Sequence, residues 1–216
     1  MKAIYQRLTK VSLSSQALAN RKFVRLDENV RRQPGHDQGI IVFVLVVGET
    51  ARAMNFSLNG YGRETNPRLG GEDVVNFSDV AASGTATAIF LPAMFSVMPR
   101  KKFNLNDAIY SENIRDLLSS AGYDVIWLEN DDGCKKVCSR VTTIDVAAMK
   151  DPRYREDGYC HDEALIDPLE DILNKLERDT VIVLHTIGSH GPSYYKRHPE
   201  EFKVFHPTCD TSEVQN

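Results

Sequence analysis

The chain has 216 residues, 42% hydrophobic and 26% charged, with a formal net charge of −4. That length suits one sizeable core or one large domain cut short, and the composition is ordinary for a globular protein. Neither half is strongly basic, which argues against nucleic-acid binding, and no stretch reaches the roughly 18 apolar residues of a transmembrane helix.

Residues 1–38 read as a linker or approach segment. They are polar and aperiodic and end in "RRQPGHDQG", whose Pro, Gly and charge content marks a linker. Within them "KFVRLDENVRR" (22–32) is locally basic but interrupted by acids, as a solvated approach to a first strand would be. The N-terminus carries positive charge but no apolar core of roughly 7–15 residues, so it is not a signal peptide. Taken alone, the chain is expected to be soluble and not exported.

The eight apolar residues Ile40–Val47 predict a strand buried on both faces. That strand delivers the chain to Glu49 and Thr50 at the rim of a sheet, where α/β proteins keep their chemistry; a solvated loop glutamate is the plainer alternative. After the Gly-, Asn- and Pro-rich loop "LNGYGRETNPRLGGED" (58–73), "VVNFSDV" (74–80) predicts a second strand. "SGTATAIFLPAMFSV" (83–97) turns from small hydroxylated residues to apolar ones, as a buried helix does, with Pro92 expected to kink or end it. "NDAIYSENIRDLLSSAGY" (106–123) predicts an amphipathic helix with Gly122 as its C-terminal cap. "YDVIWLE" (123–129) is a third strand, "HDEALIDPLEDILNKLE" (161–177) a helix that Pro168 divides, and "TVIVLHTIGSHGP" (180–192) a fourth strand and a Gly-rich loop. Strands alternating with helices imply a doubly wound, mostly parallel α/β sheet with helices on both faces.

In such a sheet the strand ends share one side. Glu49 and Thr50, then Glu129, Asn130, Asp131 and Asp132, then His185 with His190 should therefore converge on one crevice. The hydroxyls of "SGTAT" add a possible nucleophile at a helix start, where anions are favoured. A threonine made acidic by a metal ion suits phosphoryl or sulfuryl transfer. The residues alone do not separate Thr85 from Thr87, and Thr85 also fits a plain N-cap. Four cysteines stand at 134, 138, 160 and 209. The Cys134–Cys138 spacing suits half a zinc site or, preferably, a short disulfide loop, which hints at an oxidising compartment.

"VVGETARAMNFSLNGYGRETNP", "SGTATAIFLPAMF", "GCKKVCSR" and "HTIGSHGPSYYKRHP" closely resemble the lipid A phosphoethanolamine transferases. These are bacterial inner-membrane enzymes, the mobile colistin-resistance enzymes among them, with a periplasmic catalytic domain of alkaline phosphatase/sulfatase-like fold. The resemblance spans roughly residues 23–216, so residues 39–216 read as the N-terminal part of that domain. It implies transfer of phosphoethanolamine from phosphatidylethanolamine to a phosphate of lipid A or a related lipopolysaccharide sugar, with Zn2+ as cofactor. It implies no nucleic acid and no dedicated protein partner.

By the resemblance Thr87 is the nucleophile and, with Glu49, a zinc ligand. His185, His190, Lys135 and Asn130 line the phosphoethanolamine site, and Cys134 pairs with Cys138. The chain departs from the family pattern in several places. The family's remaining zinc ligands, an Asp-His pair in an "SDHGE"-like motif, have no match here, so the zinc site reads as incomplete and the C-terminal part of the fold as missing. The family's membrane helices are likewise unmatched. Ser83 and Ala93 stand where a cysteine pair is usual, Cys160 and Cys209 lack their usual partners, and Met54 replaces a common acid. An inactive truncated remnant and a phosphatase- or sulfatase-type hydrolase are the alternatives, although "SGTATAI" supplies no C/S-x-P-x-R motif.

Overall fold

The computed structural model describes residues 21–26, 29–32 and 39–213. Most of the 1–38 segment, including the N-terminus read against a signal peptide, lies outside the described residues. The strands are β1 (Val42–Val47), β2 (Asp124–Glu129), β3 (Thr142–Asp145), the two arms β4 (Arg155–Glu156) and β5 (Tyr159–Cys160), and β6 (Thr180–His185). Four of them form a fully parallel sheet in the order β1-β6-β2-β3. β4 and β5 form a separate antiparallel hairpin whose turn, Asp157-Gly158, takes positive φ at both residues, as tight hairpins require.

Side chains alternate across a strand, and here both faces are covered by helix. On one face Val47, Trp127 and Val183 pack on Leu91 and Phe95. On the other Leu128, Ile182 and Leu184 pack on Val146, Ala164 and Leu165. Each such aliphatic or aromatic side chain contributes roughly 1.5–3 kcal/mol by leaving water. The helices are α1 (Pro67–Gly70), α2 (Thr87–Phe95), α3 (Leu105–Ile109), α4 (Ile114–Ser120), α5 (Val146–Met149) and α6 (Ile166–Leu173). The α/β class and the parallel sheet are as expected from the sequence.

Five local expectations are corrected. β1 is not buried on both faces: it is an edge strand, with Phe43 57% and Val46 60% exposed. Residues 74–80 form no strand, and Phe77 and Val75 stand out in solvent. The fourth strand of the sheet is β3 instead, a short "TTID" with no run of apolar residues. The single helix over 106–123 is two, α3 and α4, because Ser111 leaves the helix to bridge Val24; Gly122 does follow α4 with a φ of 94°. α2 continues through Pro92 to Phe95. The 161–177 helix begins as the 3-10 turn Asp162–Leu165 and becomes α6 at Ile166, with Pro168 in the first turn, where its missing N–H costs nothing.

Candidate active site at the carboxyl edge of the sheet

The register fixes the site. Val47 pairs with His185, and His185 with Glu129, so three strands finish level and release their next residues into one space. From β1 comes Glu49, and Thr50 follows at a φ of 56°, a conformation that costs energy outside glycine and that clusters at functional sites. The Thr50 hydroxyl donates to Glu49 Oε1 at 2.7 Å, and the Thr87 hydroxyl donates to Glu49 Oε2 at 2.8 Å. Thr87 is the first residue of α2, whose N-cap is Ala86. Thr85 is therefore not the cap; it is exposed, and Thr87 is the threonine that meets the carboxylate.

His185 ends β6 at 1% exposure. Its Nδ1 lies 2.8 Å from Glu129 Oε1. Glu129 also accepts from Trp127 Nε1 and from the backbone N–H of Asp131, each at 2.8 Å. With a proton on Nδ1, His185 donates to Glu129, and the carboxylate fixes the orientation of the ring. His185 Nε2 has no hydrogen-bond partner among the described residues, and neither does Asp131 Oδ1. Nε2 stands 3.7 Å from Asp131 Oδ2. Burial, and to a lesser degree the Glu49 charge, pushes the Asp131 carboxyl above the usual range, against the Asp132 backbone N–H, His185 and His190.

Ligand atoms of Glu49, Asp131 and His185 all fall within 4.8 Å of one another. Two carboxyl groups and an imidazole, two of them with buried atoms left unpaired among the described residues, are a donor set for a divalent metal. Asp131 and His185 enter this group, where the sequence put only Glu49 and Thr87 and set His185 in the lining of the phosphoethanolamine site. The other expected residues make the following contacts. The Asn130 amide N–H donates to Asp162 Oδ1 at 2.8 Å and to the Cys160 carbonyl at 3.3 Å, while its Oδ1 is buried with no partner among the described residues. His190 donates Nδ1–H to the Gly191 carbonyl at 2.8 Å. Lys135 folds onto the Asp132 carbonyl within the Cys134–Cys138 loop, which is closed by a disulfide; Cys160 and Cys209 are free. The signal for Glu129 and Asp131 was present: the period-two alternation of Trp127 continues past the strand end, putting both on the face that carries His185.

An open parallel sheet with a carboxylate-bound threonine and a group of possible metal ligands at its carboxyl edge makes this an α/β protein with its candidate site at the strand ends. The chain belongs to the Sulfatase family, whose model matches residues 42–216. It is 49% identical over 204 residues to "Phosphoethanolamine transferase EptA" of Escherichia coli strain K12, covering 94% of this chain and 37% of that protein. It is 37% identical to "Phosphatidylethanolamine transferase Mcr-1" of Escherichia coli, over 79% of this chain and 33% of the relative. The solved integral membrane protein lipooligosaccharide phosphoethanolamine transferase A from Neisseria meningitidis superposes with a TM-score of 0.91 at 41% identity, over 97% of this chain and 39% of that one. The chain thus spans a little over a third of the length of these relatives. Among its described residues no helix is long and apolar enough to cross a membrane.

Proposed function

We propose that this sequence is the part of a membrane-anchored, periplasmic phosphoethanolamine transferase that carries its nucleophile. The donor is phosphatidylethanolamine and the acceptor a phosphate of lipid A or a related lipopolysaccharide sugar. The observation that carries the reading is the 2.8 Å hydrogen bond from Thr87 to Glu49 at the mouth of a three-residue metal donor set.

Zinc fits these residues: Glu49 and His185 are ordinary zinc ligands, Asp131 offers an unpaired oxygen, and Thr87 lies against Glu49. Bound there, it would supply Lewis-acid stabilisation of phosphoryl oxygen charge and a lower pKa for the threonine hydroxyl. The chain's own residues do the rest. Thr87 Oγ attacks the phosphorus of the donor while its proton, already directed at Glu49 Oε2, leaves toward that carboxylate. The phosphorus–oxygen bond to diacylglycerol breaks, and the departing alkoxide takes up a proton from water. A phosphate oxygen of the acceptor then attacks the phosphothreonine ester, the bond to Thr87 Oγ breaks, and Thr87 takes back the proton held by Glu49. Glu129 holds His185 in place throughout, Lys135, with N–H donors beyond the one on the Asp132 carbonyl, supplies donors to the transferring oxygens, and His190 lines the phosphoethanolamine site.

The test is mass spectrometry of the chain incubated with zinc and phosphatidylethanolamine. A phosphoethanolamine adduct on Thr87, absent in Thr87→Ala and in Glu49→Gln and at least 100-fold slower to form without zinc, is the expected result. Release of free phosphoethanolamine to water with no adduct would instead make the protein a hydrolase, and no turnover with no zinc uptake would make it an inactive remnant.

A further inference from the structure

Asp162 has no part in the reading above, yet its carboxylate ties together the three strand ends that form the site. It is the first residue of the Asp162–Leu165 turn, whose N-cap is His161 with no side-chain cap. The carboxylate turns instead to other segments. Oδ1 accepts from the Asn130 amide at 2.8 Å and from the Ile187 backbone N–H at 2.8 Å; Oδ2 accepts from the Gly188 backbone N–H at 2.9 Å. Asn130 directly precedes Asp131, and Ile187 and Gly188 directly follow β6.

The Gly188 contact continues to Glu49. Gly188 has a φ of 48°, and a Cβ on it would lie 2.6 Å from the Glu49 carbonyl oxygen and 3.1 Å from its nitrogen. The next residue, Ser189, donates its N–H to that same carbonyl at 3.1 Å. One carboxylate therefore holds the exit of β2 directly and the exit of β6 directly, and holds the exit of β1 through the contact of Gly188 and Ser189 with the Glu49 backbone. Three donors on one ionised acceptor make a rigid junction, since charge-assisted hydrogen bonds are the strong ones.

We propose that Asp162 is the positioning residue of the candidate metal and nucleophile site, setting the separation of Glu49 from Asp131 and His185. This rests on the metal reading above only for its second measurement. Asp162→Asn keeps the shape but turns one acceptor into a donor facing a backbone N–H. In the metal-free 216-residue chain, amide exchange followed by NMR should become at least 10-fold faster at Gly188 and Ser189, and the Glu49 and Asp131 amide signals should move. Ile126 and Trp127 in the middle of β2 should keep their protection, and Asp167→Asn, on a carboxylate bound to Tyr154 and Arg153, should leave all these signals in place. In a zinc titration of the same variants, Asp162→Asn should bind about 10–100-fold more weakly, as loss of an outer-shell partner does.

Unchanged exchange at Ser189 with unmoved Glu49 and Asp131 signals would overturn the proposal. So would exchange that quickens equally throughout the sheet, which would make Asp162 only a general stabiliser. If the unaltered chain takes up no zinc, the metal reading fails, while the metal-free measurement still decides the role of Asp162.

Discussion

Arg115 shows how much a single side chain can cost this core. It is 1% exposed, its guanidinium lies 5.4 Å from the Phe95 ring centroid and 5.3 Å from that of Trp127, and none of its three nitrogens has a hydrogen-bond partner among the described residues. Burial pushes its pKa well below the usual arginine value, to about 10, against the pull of Asp116. That depression corresponds to roughly 3 kcal/mol, which two cation–π contacts of roughly 1 kcal/mol each do not fully offset. The sign follows from linkage. A base whose folded pKa is lowered makes folding less favourable wherever the base is charged, so the penalty is full below about pH 10 and fades only above it. Arg115→Met should therefore raise stability by roughly 1 kcal/mol at neutral pH, read as a higher urea midpoint with an unchanged slope. A lower midpoint would mean that the ring contacts outweigh the desolvation.

At the scale of elements, the short helices depend on their ends. α4 has seven residues, too few for intrinsic helicity in water. Asn113 compensates with a capping box: its side chain accepts from the Arg115 N–H, and its own N–H donates to Asp116. It also donates to the Val137 carbonyl, tying α4 to the disulfide loop. Asn113→Ala should cost about 1 kcal/mol or somewhat more, measured by urea unfolding, and loss of less than about 0.3 kcal/mol would show that tertiary packing alone holds the helix. The capping residues were legible, since an asparagine three residues before an aspartate is a helix-start signal. The split between α3 and α4 was not: Ser111 leaves the helix to pair with Val24, 87 positions away, and no local pattern carries that.

Across the whole molecule, apolar surface collects along β1 and the 74–80 stretch. Phe43, Val46, Val75 and Phe77 are all more than half exposed, and among the described residues one side of β1 has no strand paired to it. An apolar sheet edge of this kind is a template for association. The purified chain should bind a hydrophobic dye and scatter light increasingly with concentration. Val46→Lys should lower both, with a change in unfolding free energy within about 0.5 kcal/mol, because its side chain is already in solvent. Undiminished scattering would locate the sticky surface elsewhere.

The sequence by itself determined the class of fold, the side of the sheet that carries chemistry, and most of the residues that stand there. Those follow from short-range rules: apolar runs make strands, alternating elements make a parallel sheet, and parallel strands end together. Four of the strand-end groups named from sequence, Glu49, Glu129, Asp131 and His185, do meet, and only Thr87 of the two threonines joins them. Tertiary structure alone decided the rest. It joined Asn130 to Asp162, set Asp131 beside Glu49 and His185, gave Glu129 the task of holding His185, and among the described residues paired β1 with β6 alone. Apolar character says that a segment is stabilised by burial, but which neighbours arrive to bury it depends on contacts across the fold. Likewise, which of four adjacent polar groups faces a site depends on the donors that distant strands and loops bring to them.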